Sequence, residues 1–435
     1  MIELFDHQKE ALEQTRGFSS IGVYYDMGLG KTFIGSEAMK RYGCEWNIII
    51  CQKSKIQDWI DHFFKYYIDK DKFDESGAWC YDITSSSNMD MFMHSRYRYK
   101  IGVINYELAW RRPELLKISS YKAVTLLLDE SSLIQNPKAK QTKFVLKINP
   151  THVILLSGTP VGGKYENLWS QMHLLGWDIS EDLYKKQYVN WTTIEAGGFV
   201  HKIVDKSEPY KNIDRLKSKM RSHGAVFKKT EECFDLPEQV FTRINVKSTK
   251  EYKEFMKKSI VEIEDAELVG DTSLTKMLYA RQLCGQFNSN KFEAIEDLFE
   301  STQDKLVIFY NFNDELTKLK EICRKHERPT SEVNGHIKDL ANFRKYDNAV
   351  CLCQYQSASK GLNLQEYGCN KIIYFTLPLS SEDFEQSKKR IHRIGQDKTC
   401  FYYLMICKGS IEEQILQTLE ERKDFTDELF KEKNS

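Results

Sequence analysis

The sequence contains no cysteine pattern that predicts a disulfide framework or a zinc site. Its 435 residues include 11 cysteines, and no two of them form a C-x-x-C motif. Cys351 and Cys353 stand two residues apart within an apolar run, which predicts one face of a buried strand. An odd number of cysteines without regular spacing is typical of a reduced cytosolic protein, so we expect a cytoplasmic location.

Long apolar runs and an overall charge are also absent. No apolar segment reaches the length of a membrane span, and residues 1–10 are too polar for a signal peptide, so we expect no membrane association. The 63 Lys and Arg residues balance 63 Asp and Glu residues, which removes the simplest sign of nucleic-acid binding. Residues 183–230, however, carry 11 basic against 4 acidic side chains. A local phosphate-binding surface is therefore compatible with the neutral total.

Short apolar runs alternate with amphipathic helical patterns over most of the chain. This alternation predicts α/β domains built on parallel sheets. Strands are predicted at residues 21–25, 46–51, 101–104, 124–128 and 152–156 in the first part of the chain, and at 305–312, 349–353, 371–375 and 399–405 in the second.

The alternation breaks after Pro160. Residues 192–204 predict a short hairpin around a Gly-Gly pair, and residues 212–221 predict a basic helix. The join to the second domain is predicted near Pro237. We therefore expect a first domain at residues 1–160, a small, mostly helical basic insertion or end of that domain at residues 161–235, and a second domain at residues 236–435.

A glycine-rich segment, Asp-Met-Gly-Leu-Gly-Lys-Thr at residues 26–32, stands between a predicted strand and a predicted helix. Glycines there let backbone N–H groups turn toward a phosphate, and a helix N-terminus favours the bound anion. Lys31 would then reach the β- and γ-phosphates of ATP, and the Thr32 hydroxyl would bind Mg²⁺. Tyr25 replaces the first glycine of the common phosphate-loop pattern. The alternative is an ordinary glycine turn before a helix.

The strand predicted at residues 124–128 runs into two carboxylates, Asp129 and Glu130. Because the carboxyl ends of parallel strands face the ligand crevice, these acids would lie beside the phosphate loop. Asp129 would hold Mg²⁺ through water, and Glu130 would orient or deprotonate the attacking water. A pair of surface acids is the alternative interpretation.

Two further segments carry weaker signals. Ser157-Gly-Thr-Pro160 follows the next strand and, taken alone, is only a turn. In the second domain, Arg390 and Arg393 would share one face of a helix and could stabilise charge on the γ-phosphoryl group. A solvated basic helix is the alternative for that segment.

Taken in order, these segments resemble those of superfamily 2 helicases and, within them, the Swi/Snf-type DNA translocase ATPases, over about residues 3–420. The most specific elements are Arg390-Ile-His-Arg-Ile-Gly-Gln396 and Gly361-Leu-Asn-Leu364. The resemblance implies two RecA-like lobes in tandem, ATP and Mg²⁺ as substrate and cofactor, and DNA, double-stranded, as the partner. It also implies protein partners in DNA replication, recombination or repair, and a compact form typical of bacteria and their phages, hence a nucleoid or phage-infected cytoplasm.

The resemblance assigns roles to individual residues. The catalytic set is Lys31, Glu130, Arg390 and Arg393. The ATP-binding set is Gln8, which would read adenine, with Gly28, Gly30, Lys31, Thr32 and Gly361, and Mg²⁺ would be held by Thr32 and Asp129. The residues expected to contact nucleic acid are Lys53, Ser54, Asn105, Thr159 and Ser359. Those expected to couple the lobes are Ser132, Ser157 and Gln386.

Three positions depart from the family pattern. Ser132 replaces a His that helps to couple the lobes, Gln52 replaces a Pro, and Thr376 stands where eukaryotic members carry an Asp. None of these changes removes a hydrolytic group, so we expect an active ATPase.

Three functions compete at this stage. The first is a double-stranded DNA translocase that remodels or displaces bound proteins. The second is a strand-separating helicase in replication or recombination, which a wedge hairpin would favour. The third is a DNA-binding scaffold deficient in hydrolysis, and the presence of Lys31, Glu130 and both arginines argues against it.

Overall fold

Two seven-stranded sheets organise the chain. The computed structural model describes residues 2–69, 77–196, 199–263, 266–358 and 362–430. The chain divides into two compact units, residues 1–233 with 425–435 and residues 234–424, each with its own sheet and its own hydrophobic core. Within these described ranges, no helix is long and apolar enough to cross a membrane.

The first sheet has the strand order β3-β4-β2-β5-β6-β1-β9, and all of its described pairings are parallel. Its strands are β1 Ser20–Tyr25, β2 Trp46–Cys51, β3 Ala78–Asp82, β4 Tyr99–Asn105, β5 Val124–Asp129, β6 His152–Leu156 and β9 Ala225–Lys228. Central strands such as β2 are buried along their whole length, as expected for strands covered on both faces. The sequence pattern missed β3 and β9, which are partly exposed edge strands.

The helices of the first unit pack against this sheet. They are α1 Asp6–Gln14, α2 Lys31–Tyr42, α3 Ile56–Tyr66, α4 Ser86–Met93, α5 Tyr106–Ala109, α6 Glu114–Tyr121, α7 Lys140–Val145, α8 Trp169–Leu174, α9 Glu181–Tyr188 and α10 Ile213–Ser222. Helices α8, α9 and α10 contribute Met172, Tyr184, Leu216 and Met220 to the same core as the sheet. The three-part division at residues 160 and 235 stays a prediction, although β9 belongs to the first sheet.

A two-stranded ribbon projects from the segment that connects α9 to α10. Strands β7 Trp191–Ala196 and β8 Phe199–Val204 pair antiparallel, with Trp191 opposite Val204 and Ala196 opposite Phe199. This confirms the predicted hairpin, and α10 confirms the predicted basic helix. Lys217, on α10, is buried, so that helix does not present all of its basic side chains to solvent.

The second sheet has the order β10-β18-β17-β13-β16-β14-β15 and is parallel except for the pair β14–β15. Its strands are β10 Gln239–Val246, β13 Leu306–Tyr310, β14 Thr330–Val333, β15 Lys338–Asp339, β16 Val350–Gln354, β17 Lys371–Tyr374 and β18 Cys400–Cys407. Cys351 and Cys353 are both fully buried on β16, as predicted, with their Sγ atoms 3.5 Å apart. The predicted fold class, two RecA-like parallel-sheet lobes in tandem, is confirmed.

The remaining elements of the second unit surround its sheet. The helices are α11 Lys250–Lys258, α12 Ser273–Cys284, α13 Ser289–Ser301, α14 Asn313–Lys325, α15 Ala341–Lys345, α16 Tyr355–Ala358, α17 Ser381–Lys388 and α18 Ile411–Phe430. Strands β11 Ile260–Ile263 and β12 Ala266–Val269 form a separate antiparallel pair.

A buried polar network lies where β13 and β17 end. Lys291 Nζ donates to Glu412 Oε1 and to the Phe375 carbonyl oxygen, each at 2.6 Å. The Glu315 carboxylate accepts, through Oε2, from the Asn311 N–H at 2.9 Å and from the Thr376 hydroxyl at 3.0 Å. Its second oxygen, Oε1, is buried and has no hydrogen-bond partner among the described residues. Burial therefore raises the pKa of Glu315 to about 7, against the opposing effect of these hydrogen bonds.

We predict that Glu315 makes the second unit less stable as the pH rises. The folded state holds a proton between pH 4.5 and about 7 that the unfolded state has already released. This stabilisation is present at low pH and is lost as the pH passes through 7, by at most roughly 3 kcal/mol. Glu315→Gln should flatten the pH dependence between pH 5 and 8.

Amide hydrogen exchange along β13 measures this effect. Tryptophan fluorescence does not, because all seven tryptophans lie in the first unit. Glu321→Gln, an exposed change on the same helix, is the matched control. Equal pH dependence in wild type and Glu315→Gln would contradict the prediction.

Candidate nucleotide site and its neighbours

The glycine-rich loop joins the end of β1 to the start of α2. Gly28 and Gly30 have φ angles of 89° and 70°, in the left-handed region that favours glycine. A Cβ at Gly30 would also clash with Gln8 Nε2, so a side chain there would displace the Gln8 amide from its present position. Lys31 Nζ donates to the carbonyl oxygens of Tyr25 at 2.7 Å and Asp26 at 3.2 Å, which places the ammonium within the loop.

A cavity of about 560 Å³ opens beside this loop. Its size lies within the range of small-ligand sites, roughly 300–1,000 Å³. Gln8 is buried at its wall: the side-chain Nε2 donates to the Leu29 carbonyl at 3.2 Å, and Oε1 accepts from the Phe5 N–H at 3.0 Å. The other lining residues include Phe5, Gly28, Gly30, Phe33, Lys65 and Tyr66. The position suits an adenine ring, and the role of Gln8 in reading adenine stays a prediction.

The two predicted carboxylates stand at the end of β5. Asp129 Oδ2 accepts from the Trp59 indole N–H at 2.9 Å, and the Asp129 carbonyl accepts from the Tyr106 hydroxyl at 2.9 Å. Burial raises the pKa of Asp129, while the Trp59 hydrogen bond and the positive charge of Lys31 lower it. Glu130 has a φ of 51°, a strained conformation for a residue other than glycine and one that concentrates at functional sites.

The oxygen donors at this site fit a magnesium ion that arrives with a nucleotide. Mg²⁺ prefers oxygen ligands and is usually held by one or two carboxylates together with substrate phosphates. Thr32 and Asp129 supply a hydroxyl and a carboxylate. Across the part of the chain that the structure describes, no group of three or more His, Cys, Asp or Glu could hold a metal on its own. Thr32 and Asp129 therefore remain the predicted ligands.

The sheet order brings the Ser-Gly-Thr-Pro turn to the same place. Strand β6 lies between β5 and β1, and a Cβ built on Gly158 would lie 3.6 Å from Lys31 Nζ. Ser157 is buried and accepts from the Thr159 N–H at 3.1 Å. Ser132 is also buried. The coupling roles of Ser132 and Ser157 stay predictions.

The residues predicted to contact DNA in the first unit differ in exposure. Lys53 and Ser54, in the turn after β2, are exposed. Asn105 is the last residue of β4, Thr159 follows β6, and both are buried. Their side-chain oxygens, Asn105 Oδ1 and Thr159 Oγ1, have no hydrogen-bond partner within the described ranges. All four residues lie where strands of the first sheet end. Of the four, Lys53 and Ser54 are the ones exposed to solvent and so accessible to DNA.

The structure corrects the local geometry of the two arginines. We expected Arg390 and Arg393 on one face of a helix, and this is wrong because α17 ends at Lys388. The Arg390 carbonyl accepts from the Leu364 N–H at 3.1 Å instead of continuing the helical ladder. The Arg390 side chain folds back, and its Nε donates to the Gln386 carbonyl at 3.0 Å.

The same contacts bring two predicted motifs together within the second unit. Arg390 Nη1 donates to the Leu362 carbonyl at 3.0 Å, and Arg393 Nη1 donates to Asn363 Oδ1. The imidazole of His392, between the arginines, lies 2.9 Å from the Pro237 carbonyl oxygen. Gln386 is buried, and its Nε2 donates to Glu382 at 3.0 Å. The predicted residues Ser359 and Gly361 lie outside the described residues.

Two family models match the chain. The SNF2-related domain matches residues 18–324, and the helicase conserved C-terminal domain matches residues 290–395. The chain belongs to the SNF2-related domain family. The two domains together mark it as an enzyme of the ATP-dependent helicase class.

Relatives within the SNF2-related group are distant in sequence. An uncharacterized ATP-dependent helicase of Mycoplasma pneumoniae is 22% identical over 98% of this chain and 42% of its own length. The DNA repair and recombination protein RAD54-like of Gallus gallus is 21% identical over 74% of this chain and 50% of its own length. The chain therefore spans half or less of these two proteins. The solved SWI2/SNF2 ATPase core of Sulfolobus solfataricus in complex with double-stranded DNA is 21% identical, covers 98% of this chain and 92% of its own, and has a TM-score of 0.45.

Three side chains of the first unit that the sequence did not predict support the candidate nucleotide site. Trp59 holds the Asp129 carboxylate. Thr230 donates from its N–H to Asp26 Oδ2 at 3.1 Å and so ties the phosphate loop to the segment after β9. Gln171 is fully buried. Its side chain donates to the Pro160 carbonyl at 2.6 Å and accepts from the Ser131 hydroxyl at 2.8 Å, which joins the turns after β5 and β6.

We predict that Trp59 is a positioning residue for Asp129. Trp59→Phe keeps an aromatic ring in the core but removes the donor to the carboxylate. A hydrogen bond to a charged group contributes about 1.5–3 kcal/mol, so ATP hydrolysis should fall roughly tenfold or more. Binding of a fluorescent ATP analogue should change little, because Trp59 does not line the cavity beside the loop.

Trp169→Phe is the matched control for this change. It removes an indole hydrogen bond of similar length, 2.8 Å to the Ile179 carbonyl, without touching Asp129. Steady-state hydrolysis rates for both variants decide the matter. If Trp59→Phe and Trp169→Phe lower the rate equally, the effect is general loss of packing and the positioning role is wrong.

Proposed function

We propose that this chain is a DNA-stimulated ATPase that moves along double-stranded DNA and remodels or displaces the proteins bound to it. The observation that carries the proposal is the glycine-rich loop beside a cavity of nucleotide size, with Lys31 in that loop and its positive charge acting on Asp129. Membership of the SNF2-related family supports the same activity.

The chemistry assigns a task to each group. Lys31 neutralises charge on the β- and γ-phosphates, and Glu130 orients the attacking water and accepts its proton. Mg²⁺, held by Thr32 and Asp129, would further neutralise the phosphates. Arg390 and Arg393 stabilise the charge that develops on the transferring group, as arginine fingers do.

DNA is the proposed partner because of family membership and local charge. The RAD54-like relative is by name a DNA repair and recombination protein. Within this chain, Lys53 and Ser54 are exposed in the turn after β2, and residues 183–230 carry the basic excess. ATPase assays without DNA and with linear duplex or single-stranded DNA test the partner. Displacement of a triplex strand tests translocation, and unwinding of a duplex tests strand separation.

We predict that Lys31→Ala and Glu130→Gln each abolish ATP turnover but differ in their affinity for ATP. Lys31→Ala should also weaken ATP binding, because it removes charge that faces the phosphates. Glu130→Gln should bind ATP well, because Glu130 acts only on the water. Lys40→Ala, an exposed change on the same helix as Lys31, is the control. Full turnover by Glu130→Gln would show that hydrolysis does not need the Glu130 carboxylate.

A second prediction concerns the arginines. Arg390→Ala and Arg393→Ala should each lower the DNA-stimulated hydrolysis rate, on the order of 10³-fold for an arginine that faces the transferring phosphoryl. Arg324→Ala, an exposed change in the second unit, should leave the rate unchanged. Because Arg390 is buried, circular dichroism should first establish that each variant folds. A rate close to wild type in both arginine variants would exclude a catalytic role.

A further inference from the structure

Asp26, in the glycine-rich loop, is hydrogen-bonded through its N–H, its carbonyl and its carboxylate. The Asp26 N–H donates to the Lys228 carbonyl at 3.0 Å, which extends the pairing of β1 with β9 into the loop. The Asp26 carbonyl accepts from Lys31 Nζ at 3.2 Å. The carboxylate oxygen Oδ2 accepts from the Thr230 N–H at 3.1 Å and from the Thr230 hydroxyl at 3.2 Å. Asp26 therefore joins the predicted phosphate-binding lysine to the segment after β9.

Thr230 extends this connection to a short helical turn. Thr230 is 1% exposed, so water has little access to the two groups that donate to Asp26. The turn covers residues 230–232, and the Cys233 N–H closes it by donating to the Thr230 carbonyl at 3.0 Å. Cys233 is the last residue before the chain passes into the second unit. A movement of Asp26 is therefore transmitted to residues 230–233.

The phosphates of ATP would compete with the loop for the Lys31 ammonium. Lys31 Nζ donates to the Tyr25 carbonyl at 2.7 Å and to the Asp26 carbonyl. An ammonium group has only three N–H donors, so phosphates that draw Lys31 toward them weaken these bonds. The phosphates also bring negative charge into the loop that carries the Asp26 carboxylate, and like charges repel. Both effects act against the present position of Asp26.

We propose that the contact between Asp26 and Thr230 is a latch, which ATP releases when it binds the loop and which then frees residues 230–233. This inference rests on the proposed ATPase and adds a regulatory contact to its site. Coupling between two equilibria is reciprocal. Because ATP favours the open latch, a variant with a weaker latch must bind ATP more tightly. A merely structural role for Thr230 predicts the opposite, since damage beside the loop lowers the affinity for ATP.

The first test measures the affinity of Thr230→Val for a fluorescent, non-hydrolysable ATP analogue. Valine keeps the size of the buried side chain and the backbone donor, but it removes the hydroxyl that donates to the carboxylate. Because a hydrogen bond to a charged group is a strong one, the Kd should fall by up to roughly tenfold. Thr142→Val is the matched control. Thr142 is fully buried in the same unit, and its hydroxyl has no hydrogen-bond partner among the described residues, so its loss should leave the Kd unchanged.

The second test uses the Cys233 thiol as a reporter of the open latch. Cys233 is half-buried and the other ten cysteines are buried, so the thiol reagent DTNB should react with Cys233 first. Burial raises the pKa of this thiol, although the charge of Lys228 opposes the effect, and the thiolate is the reactive form. Saturating ATP analogue with Mg²⁺ should therefore speed the reaction severalfold in wild type. In Thr230→Val the reaction should be fast without the analogue, and Cys233→Ser should lack the fast phase.

The outcomes separate the latch from the proposed function. An ATP affinity of Thr230→Val that is equal to or below that of wild type would overturn the latch. So would a wild-type chain that binds the analogue while the reaction rate of Cys233 stays the same, and this measurement needs no folded Thr230 variant. A wild-type chain that does not bind the ATP analogue would instead overturn the proposed function.

Discussion

The parallel pairing of β1 with β6 and β9 is the constraint on which the nucleotide site depends. It places the phosphate loop next to the Ser-Gly-Thr-Pro turn on one side and next to the Thr230 segment on the other. Strand β5 follows β6 in the sheet and delivers Asp129 to the same edge. Because all these strands run in one direction, the turns that follow them lie at the same edge of the sheet, and their polar groups can contact a single ligand there.

The candidate nucleotide site combines charged side chains with buried contacts that hold them in place. Asp129 is costly to bury as a carboxylate, and the indole of Trp59 and the charge of Lys31 offset part of that cost. Glu130 occupies a strained backbone conformation, which the short helical turn after it holds through the Leu133 N–H. Such preorganisation avoids rearrangement at the moment of reaction.

In the second unit, charged side chains are also held by buried contacts, but the arrangement differs. Arg390 donates to the backbone carbonyls of Gln386 and Leu362, and Arg393 donates to the Asn363 side-chain oxygen, so each guanidinium has fixed partners before any substrate arrives. The buried pair Lys291–Glu412 and the carboxyl of Glu315 occupy the ends of β13 and β17. The Thr376 hydroxyl donates to Glu315, which lies on the neighbouring helix α14.

Local patterns in the sequence determined the fold class and the central strands, and they named the candidate groups for the chemistry. Continuous apolar runs identify buried strands, and a glycine-rich turn before a helix identifies a phosphate loop, because both signals depend on residues close together in the chain. The edge strands β3, β9 and β10 escaped detection because partial exposure interrupts their apolar runs.

Only the tertiary structure decided which side chains support these groups. Trp59 meets Asp129 across 70 positions of sequence, and Thr230 meets Asp26 across 204. Such contacts depend on strand order and register, which no local pattern encodes. The end of α17 was decided in the same way, because the Leu364 N–H takes the Arg390 carbonyl that a longer helix would have used. Local sequence patterns therefore named the candidate reactive groups, and long-range packing set the geometry around them.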